Sequence, residues 1–545
     1  MNESLRSALA AAAERLGHGG TEFVLERPRD AGHGDIATNL AMVMARREKA
    51  NPRRMAEQLL AALEVPSGLV SRSEVAGPGF INFWLAEDQL ARSLDAVIAA
   101  GPGFGRAAVG AGERINVEFV SANPTGPLHV GHGRQAVLGD AIASLLEWTG
   151  WDVTREYYYN DAGVQIANLA LSTQARLREL AGEPLVIPEG GYHGEYIREI
   201  AAAYLREHAD DPRGERLDEV RRVAVRELRQ EQDRDLRALG VEFDVYFLES
   251  SLYDDGKVGQ VVEALHARGA TFEDGGALWL RTTAHGDDKD RVMRKSDGTF
   301  TYFTPDVAYH VTKWERGYHR AVNVQGSDHH GTVARVRAGL QALGMGIPLG
   351  YPEYVLHQMV TVMRGGEEVK LSKRAGSYVT IRDLIDEVGI DAVRYFFLMR
   401  KGDSQLVFDV DLARKQSDEN PVFYVQMAHA RLSGIFRTAE REPESVAAPV
   451  DLTALPAPQD VELLKALGRF PEIVDKAAAE REPHRVVGYL HELATAVHGW
   501  YHHTRVVGAP EGPATEQARL VLTRAARIVL ANGLALLGLS APDRM

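Results

Sequence analysis

The chain has 545 residues, of which 45% are hydrophobic and 25% charged, and its formal net charge is −14. That length exceeds one hydrophobic core and points to three or four domains, while the negative balance argues against a protein that coats nucleic acid indiscriminately. The absence of cysteine excludes disulfides, thiolate nucleophiles and cysteine-ligated metal centres. No run reaches the roughly 18 apolar residues of a spanning helix and the N-terminus lacks the pattern of a signal peptide, so a cytoplasmic protein with no membrane partner is expected.

Residues 2–16 place Leu5, Leu9, Ala12 and Leu16 on one helical face, and Val75 to Leu85 reads as a turn feeding a strand. Gly101 to Gly105 reads as a linker, so 1–105 forms a separate α+β domain. Its basic cluster, Arg46, Arg47, Lys49, Arg53 and Arg54, fits either a solvated helix face or a nucleic-acid contact.

The central stretch is Arg114 to Gly133. Ile115, Val117, Phe119 and Val120 make a strand, and the turn from Ser121 through Ala122, Asn123, Pro124, Thr125, Gly126 and Pro127 ends it, because proline cannot donate to a ladder. Leu128, His129, Val130, Gly131, His132 and Gly133 then enter a helix running to Thr149-Gly150. A strand, Pro/Gly loop and helix mouth make a phosphate-binding corner, where unpaired N–H groups attract anions and glycine admits a flat base. His129 and His132 project to one side and can donate to phosphate oxygens. With Asp328, His329 and His330 elsewhere, the same histidines also fit zinc ligation, or a purely structural role.

Val153 to Tyr159 reads as a second strand and Asn160 to Gly163 as a turn before a helix. Residues 185–240 look inserted, with a highly charged helix around Leu217 to Leu239. Asp297-Gly298 signals a hairpin with Thr299 to Phe303 on a strand, and 322–331 is again strand, loop and helix start. Lys370, Leu371, Ser372, Lys373, Arg374 and Gly376 form a cationic loop suited to clamp a polyphosphate. From Asp391 onward successive apolar helical faces mark a bundle.

His129-Val-Gly-His132 and Lys370-Leu-Ser-Lys373 resemble, in order, the two signature motifs of class I aminoacyl-tRNA synthetases. Val117 to His129, Asn160-Asp-Ala-Gly163, Gly34-Asp35, Asn39, Gly77 to Asn82 and Asp391 to Arg394 narrow the resemblance to the arginyl-tRNA synthetases. It implies an α/β architecture: a Rossmann-type catalytic domain over 106–390 with the insertion near 185–240, an N-terminal additional domain over 1–105 that contacts tRNA, and an all-α anticodon-binding bundle over 391–545. It implies a ligase, a monomer, that makes arginyl-adenylate from L-arginine and ATP with Mg²⁺, releases diphosphate, and passes arginine to the terminal adenosine of its tRNA. On this resemblance His129, His132, Lys370 and Lys373 are catalytic, Gly131, Gly133 and Ser372 touch ATP, and Glu118, Asn123, Tyr302 and Asp306 bind arginine. No resident metal ligand is implied.

Guanidinium is a planar fork of donors, so acids at Glu118 and Asp306 suit it, although an internal salt bridge is the alternative for either. A site built on such bonds rejects analogues lacking them by about 10⁴–10⁵, so no editing domain is needed and the insertion reads as structural or tRNA-facing. Ser327 stands where some members carry glutamine, and Leu371 where methionine is more usual. The rivals are a synthetase for another amino acid, lysine above all, a nucleotidyltransferase, and a silent relative that only holds tRNA.

Overall fold

The computed structural model describes residues 2–28, 31–161, 163–369, 378–447, 449 and 451–545; the expected cationic loop with Lys370, Ser372 and Lys373 lies outside them. The chain divides into two compact units, one of residues 1–104, 431–470 and 495–529, the other of 105–430, 471–494 and 530–545. The N-terminal segment of the first carries a four-stranded antiparallel sheet, ordered Leu25–Glu26, Ile36–Thr38, Phe80–Leu85, Val70–Ala76. Leu5, Leu9, Leu40, Met44, Leu59, Ile81 and Phe83 bury its helices against that sheet. Of its basic cluster, Arg47 donates to Thr21 Oγ1 at 2.9 Å and Arg53 lies 3.9 Å from Glu57.

The second unit is built on five parallel strands: β1 (Arg114–Glu118), β2 (Asp152–Tyr159), β3 (Val245–Leu248), β4 (Arg320–Gly326) and β5 (Glu353–His357). They lie in the order β5-β4-β1-β2-β3. The chain therefore winds outward from β1 in one direction and returns to its other side through β4. In such a sheet the helices before and after the reversal part, opening a crevice beyond the carboxyl ends of β1 and β4. Glu118 ends β1, and Asn323 of β4 is its register partner.

Helix α1 (Val130–Trp148) follows β1 and is buried on nearly all sides. It is fixed to helix Ile390–Leu398 by Arg394, which is 1% exposed and donates to Asp140 Oδ2 at 2.6 Å and to the carbonyls of Leu239 and Leu537. Thus the segment expected to open the C-terminal bundle, Asp391 to Arg394, is packed within the second unit. The inserted segment forms helices Tyr196–Glu207 and Leu217–Ala238, which close on Val164–Leu180 through Leu169, Ile197, Ile200, Ala224 and Leu228.

One expected strand is absent. Gly298 makes the turn at φ +85°, but pairing beyond it is a single bridge, Arg294 to Phe300, and helix Phe303–Glu315 starts where the strand was expected to end. Pro305 explains this: its fixed φ suits a helix's first turn, where its missing N–H costs nothing. From Pro421 the described chain is helical apart from short 3-10 turns and loops, through Pro458–Leu467, Phe470–Glu480, His484–His503 and Pro513–Leu536. No helix among the described residues is long and apolar enough to cross a membrane.

Candidate active site

The corner after β1 is strained. Val120 and Ser121 have φ of +69° and +44°, a region that a β-branched residue such as valine rarely enters. The surroundings over-determine the turn: Ser121 Oγ donates to Glu118 Oε1 at 3.1 Å and accepts from the Tyr158 N–H at 3.3 Å. Strain of this kind persists where a loop must present particular atoms.

His129 caps α1 with its own ring. Its Nδ1 accepts from the N–H groups of Gly131 at 3.0 Å and His132 at 3.2 Å, while Gly133 N–H bonds to His129 O and Val130 N–H to Val379 O. The first four N–H groups of the helix are therefore already used. This corrects the expectation that they form an open phosphate site. Gly133 is likewise turned inward: a Cβ there would lie 3.0 Å from Ile381 and Phe397, whereas at Gly131 it would meet the His129 ring at 2.8 Å. Close packing of the helix mouth, rather than an open base-binding surface, requires these glycines.

What remains available is imidazole. The two rings stack at 3.6 Å between centroids, 17° from parallel, and His132 Nδ1 faces the His129 N–H at 3.4 Å. Burial lowers the pKa of His129, against its backbone bond and Asp328; burial, then His129 and His357, holds His132 far lower. Both rings are thus neutral near pH 7. With Nδ1 accepting, the ring proton of each must sit on Nε2, which makes Nε2–H a donor of fixed tautomer. Both rings line a cleft of about 540 Å³ with Asn123, Thr125, Gly126, Tyr192, Tyr196 and Tyr378. Asn123 Nδ2 donates there to Gln165 Oε1 at 2.6 Å.

The two expected arginine-binding acids are treated differently. Glu118 Oε2 lies 2.6 Å from Lys313 Nζ, which is fully buried and also donates to Asn323 Oδ1 at 3.1 Å. The internal salt bridge is realised here, with lysine. Asp306, in the first turn of Phe303–Glu315, has no cation within salt-bridge distance of its carboxylate among the described residues. Burial first, then the charges of Glu249 and Glu118, push its pKa up to about 8, with Arg335 opposing. Tyr302 stands one turn before it, on the same helical side, with its ring 75% exposed.

Glu249 went unread in the sequence. It follows directly on β3, is buried, and accepts from Tyr158 OH at 2.8 Å; burial raises its pKa. A single glutamate before Ser-Ser carries no motif, and only the fold brings it to Asp306. Ser327 donates to Gln358 Oε1 at 3.2 Å. No three His, Asp or Glu side chains converge as metal ligands among the described residues.

Three family models together match nearly the whole chain. The N-terminal domain of arginyl-tRNA synthetase matches residues 1–85, the class I (R) tRNA synthetase catalytic domain 96–432, and the DALR anticodon binding domain 425–545. The arginine–tRNA ligase of Geobacter metallireducens is 56% identical over 100% of both chains, and that of Geotalea daltonii 57% identical over 96% of this chain and 95% of its own. The solved Thermus thermophilus arginyl-tRNA synthetase superposes with a TM-score of 0.79 over 100% of both chains at 25% identity. Strand order, signature corner and sequence agree: this chain belongs to the class I arginyl-tRNA synthetases.

Proposed function

We propose that the crevice beyond β1 and β4 binds arginine and ATP side by side, with Asp306 and Glu249 on the guanidinium and the imidazoles of His129 and His132 on the phosphates. The chain is an arginine–tRNA ligase. The α-carboxylate of arginine attacks the α-phosphorus of ATP and diphosphate leaves; a ribose hydroxyl of the tRNA's terminal adenosine then attacks the adenylate carbonyl and AMP leaves. The observation that carries the reading is the Asp306 carboxylate, desolvated beside Glu249 with no cation of its own. A guanidinium supplies two parallel donors and the missing positive charge.

Each residue then has a task. Tyr302 lies over the arginine side chain, and Asn123 serves the α-amino group. Glu118 is committed to Lys313 and Ser121, which supports a place behind the pocket rather than on the guanidinium. The Nε2–H groups of His129 and His132 donate to phosphate oxygens as charge develops, without titrating near neutral pH. Gly131 and Gly133 serve ATP indirectly, by letting the helix mouth pack. Lys370, Ser372 and Lys373 are carried by the family motif as further phosphate-binding side chains. Magnesium would enter with ATP, bound to its phosphates as part of the substrate, and would supply positive charge there.

The DALR match supports anticodon reading by the helical C-terminal region, and the N-terminal match supports tRNA contact by residues 1–105. A monomer acting in the cytoplasm completes the reading. The test is amino-acid-dependent exchange of pyrophosphate into ATP, run with arginine and with lysine, each with and without total tRNA. Arginine-dependent exchange in the presence of tRNA is expected; exchange with lysine, or with neither amino acid, overturns the pocket.

A further inference from the structure

Side chains from outside the signature loop hold much of its backbone. Tyr157 OH donates to Ala122 O at 2.9 Å and accepts from Ala122 N–H at 3.1 Å; Tyr196 OH donates to Thr125 O and Tyr378 OH to Pro127 O, each at 2.9 Å. Two further carbonyls, of Asn123 and Gly126, meet at one side chain: both accept from Gln232 Nε2 at 3.0 Å, and Asn123 O also accepts from the Thr125 N–H at 2.8 Å. Gln232 is fully buried, and its Oε1 faces Tyr157 OH at 3.4 Å. Only this orientation of the amide sets donors against carbonyls and the oxygen against a hydroxyl.

Gln232 belongs to helix Leu217–Ala238, in the inserted segment. One turn further along, buried Asp235 accepts from Arg382 Nε at 3.0 Å and Nη2 at 2.8 Å. Arg382 lies in helix Ile381–Val388, and that segment is pinned to the helix mouth through Ile381 N–H on Leu128 O and Val130 N–H on Val379 O. One face of the inserted helix therefore grips both the loop before His129 and the segment that backs it.

We propose that Gln232 is a positioning residue for arginine activation: by holding the carbonyls of Asn123 and Gly126 it sets where Asn123 and the His129–His132 pair stand in the crevice. The inserted helix acts on the chemistry through this amide. The inference rests on the functional reading above.

The test uses the full chain carrying Gln232→Met, which keeps volume and helix propensity and removes both donors. Steady-state arginine-dependent pyrophosphate exchange with tRNA, tRNA affinity and thermal unfolding are measured beside the parent. The expected kcat is about 100-fold lower, the size of loss that small misplacements of reacting groups produce, with tRNA affinity unchanged. The losses from Gln232→Met and Asn123→Ala combine to less than their product, because both act through one loop. A folded Gln232→Met protein with parental kcat, or losses that multiply fully with Asn123→Ala, overturns the proposal; a purely structural glutamine lowers the unfolding midpoint and leaves kcat alone. If Gln232→Met does not fold, Tyr157→Phe, which removes the hydroxyl that holds Ala122 and faces Gln232 Oε1, is judged by the same two criteria. Absence of exchange in the parent falls instead on the functional reading.

Discussion

The helical C-terminal region and the crevice treat a carboxylate drawn out of water in opposite ways, Asp460 being fully buried and Asp306 half-buried. Asp460 is fully buried and fully answered: Trp500 Nε1 donates to it at 2.7 Å, the Ala457 N–H at 3.1 Å, and Arg519 through Nε and Nη2 at 3.2 Å. Arg519 is itself closed by Glu511 and the carbonyl of Arg505. Asp306 has none of this, and its neighbours Glu249 and Glu118 repel it. A carboxylate out of water without a cation keeps its proton to higher pH, and groups perturbed in this way cluster at functional sites. The difference separates a carboxylate whose partners all lie within the fold from one that the proposed reading completes with arginine.

Replacing each acid by its amide should separate the two roles. In the crevice, Asp306→Asn is expected to weaken arginine binding about 10³-fold, the scale of removing one partner from a desolvated ion pair. The unfolding midpoint should hold or rise, since the amide stays neutral beside Glu249 and Glu118 without taking up a proton. Equilibrium titration with arginine and thermal unfolding read both, and unchanged arginine affinity removes Asp306 from the pocket. In the helices, Asp460→Asn is expected to cost about 3 kcal/mol of stability by leaving Arg519 buried with one acid fewer, while arginine binding to the folded protein stays at the parental value. Denaturant unfolding checks it, and a loss of a few tenths of a kcal/mol would mean that Glu511 alone neutralises Arg519.

The sequence made the corner after β1 readable because proline, glycine and a change of apolar period coincide there: the helix from Val130 stands where expected, and the strand ends at Glu118, two residues short of the expected Val120. The hairpin signal at Asp297-Gly298 misled about what followed, because Pro305 governs the next turn more strongly than a β-compatible run does. What stayed illegible was long-range. Lys313 and Glu118 are 195 residues apart, and nothing local to either announces the pair. Gln232 sits in a charged run, Arg229 to Arg234, that reads as a solvated face, yet it is wholly buried. The helix mouth posed a subtler case. Unpaired N–H groups are a fair expectation for any helix start, but here the histidine of the motif is also the cap, so the backbone donors are taken and the ring N–H groups are the ones left.

The smallest effect, and the one that tests the contrast without a substitution, is pH. In the unfolded chain Asp306 ionises near the ordinary value of about 4, whereas in the folded chain its pKa stands at about 8. Between these values the folded state holds a proton that the unfolded state has lost. Asp306 therefore favours folding fully below about pH 4 and loses that contribution as pH rises through 8. Arginine binding runs the other way. The guanidinium stays charged throughout and requires the carboxylate, so affinity should rise roughly tenfold per unit from pH 6 to 8 and flatten above, with a proton released on binding. Glu249, also raised by burial, steepens the acid side of this curve, while burial lowers His129 and holds His132 well below its ordinary value. Calorimetry in buffers of different ionisation enthalpy measures the released proton directly. Its disappearance in Asp306→Asn assigns it, and an affinity flat from pH 6 to 8 would show a carboxylate already ionised and thus already answered, as Asp460 is.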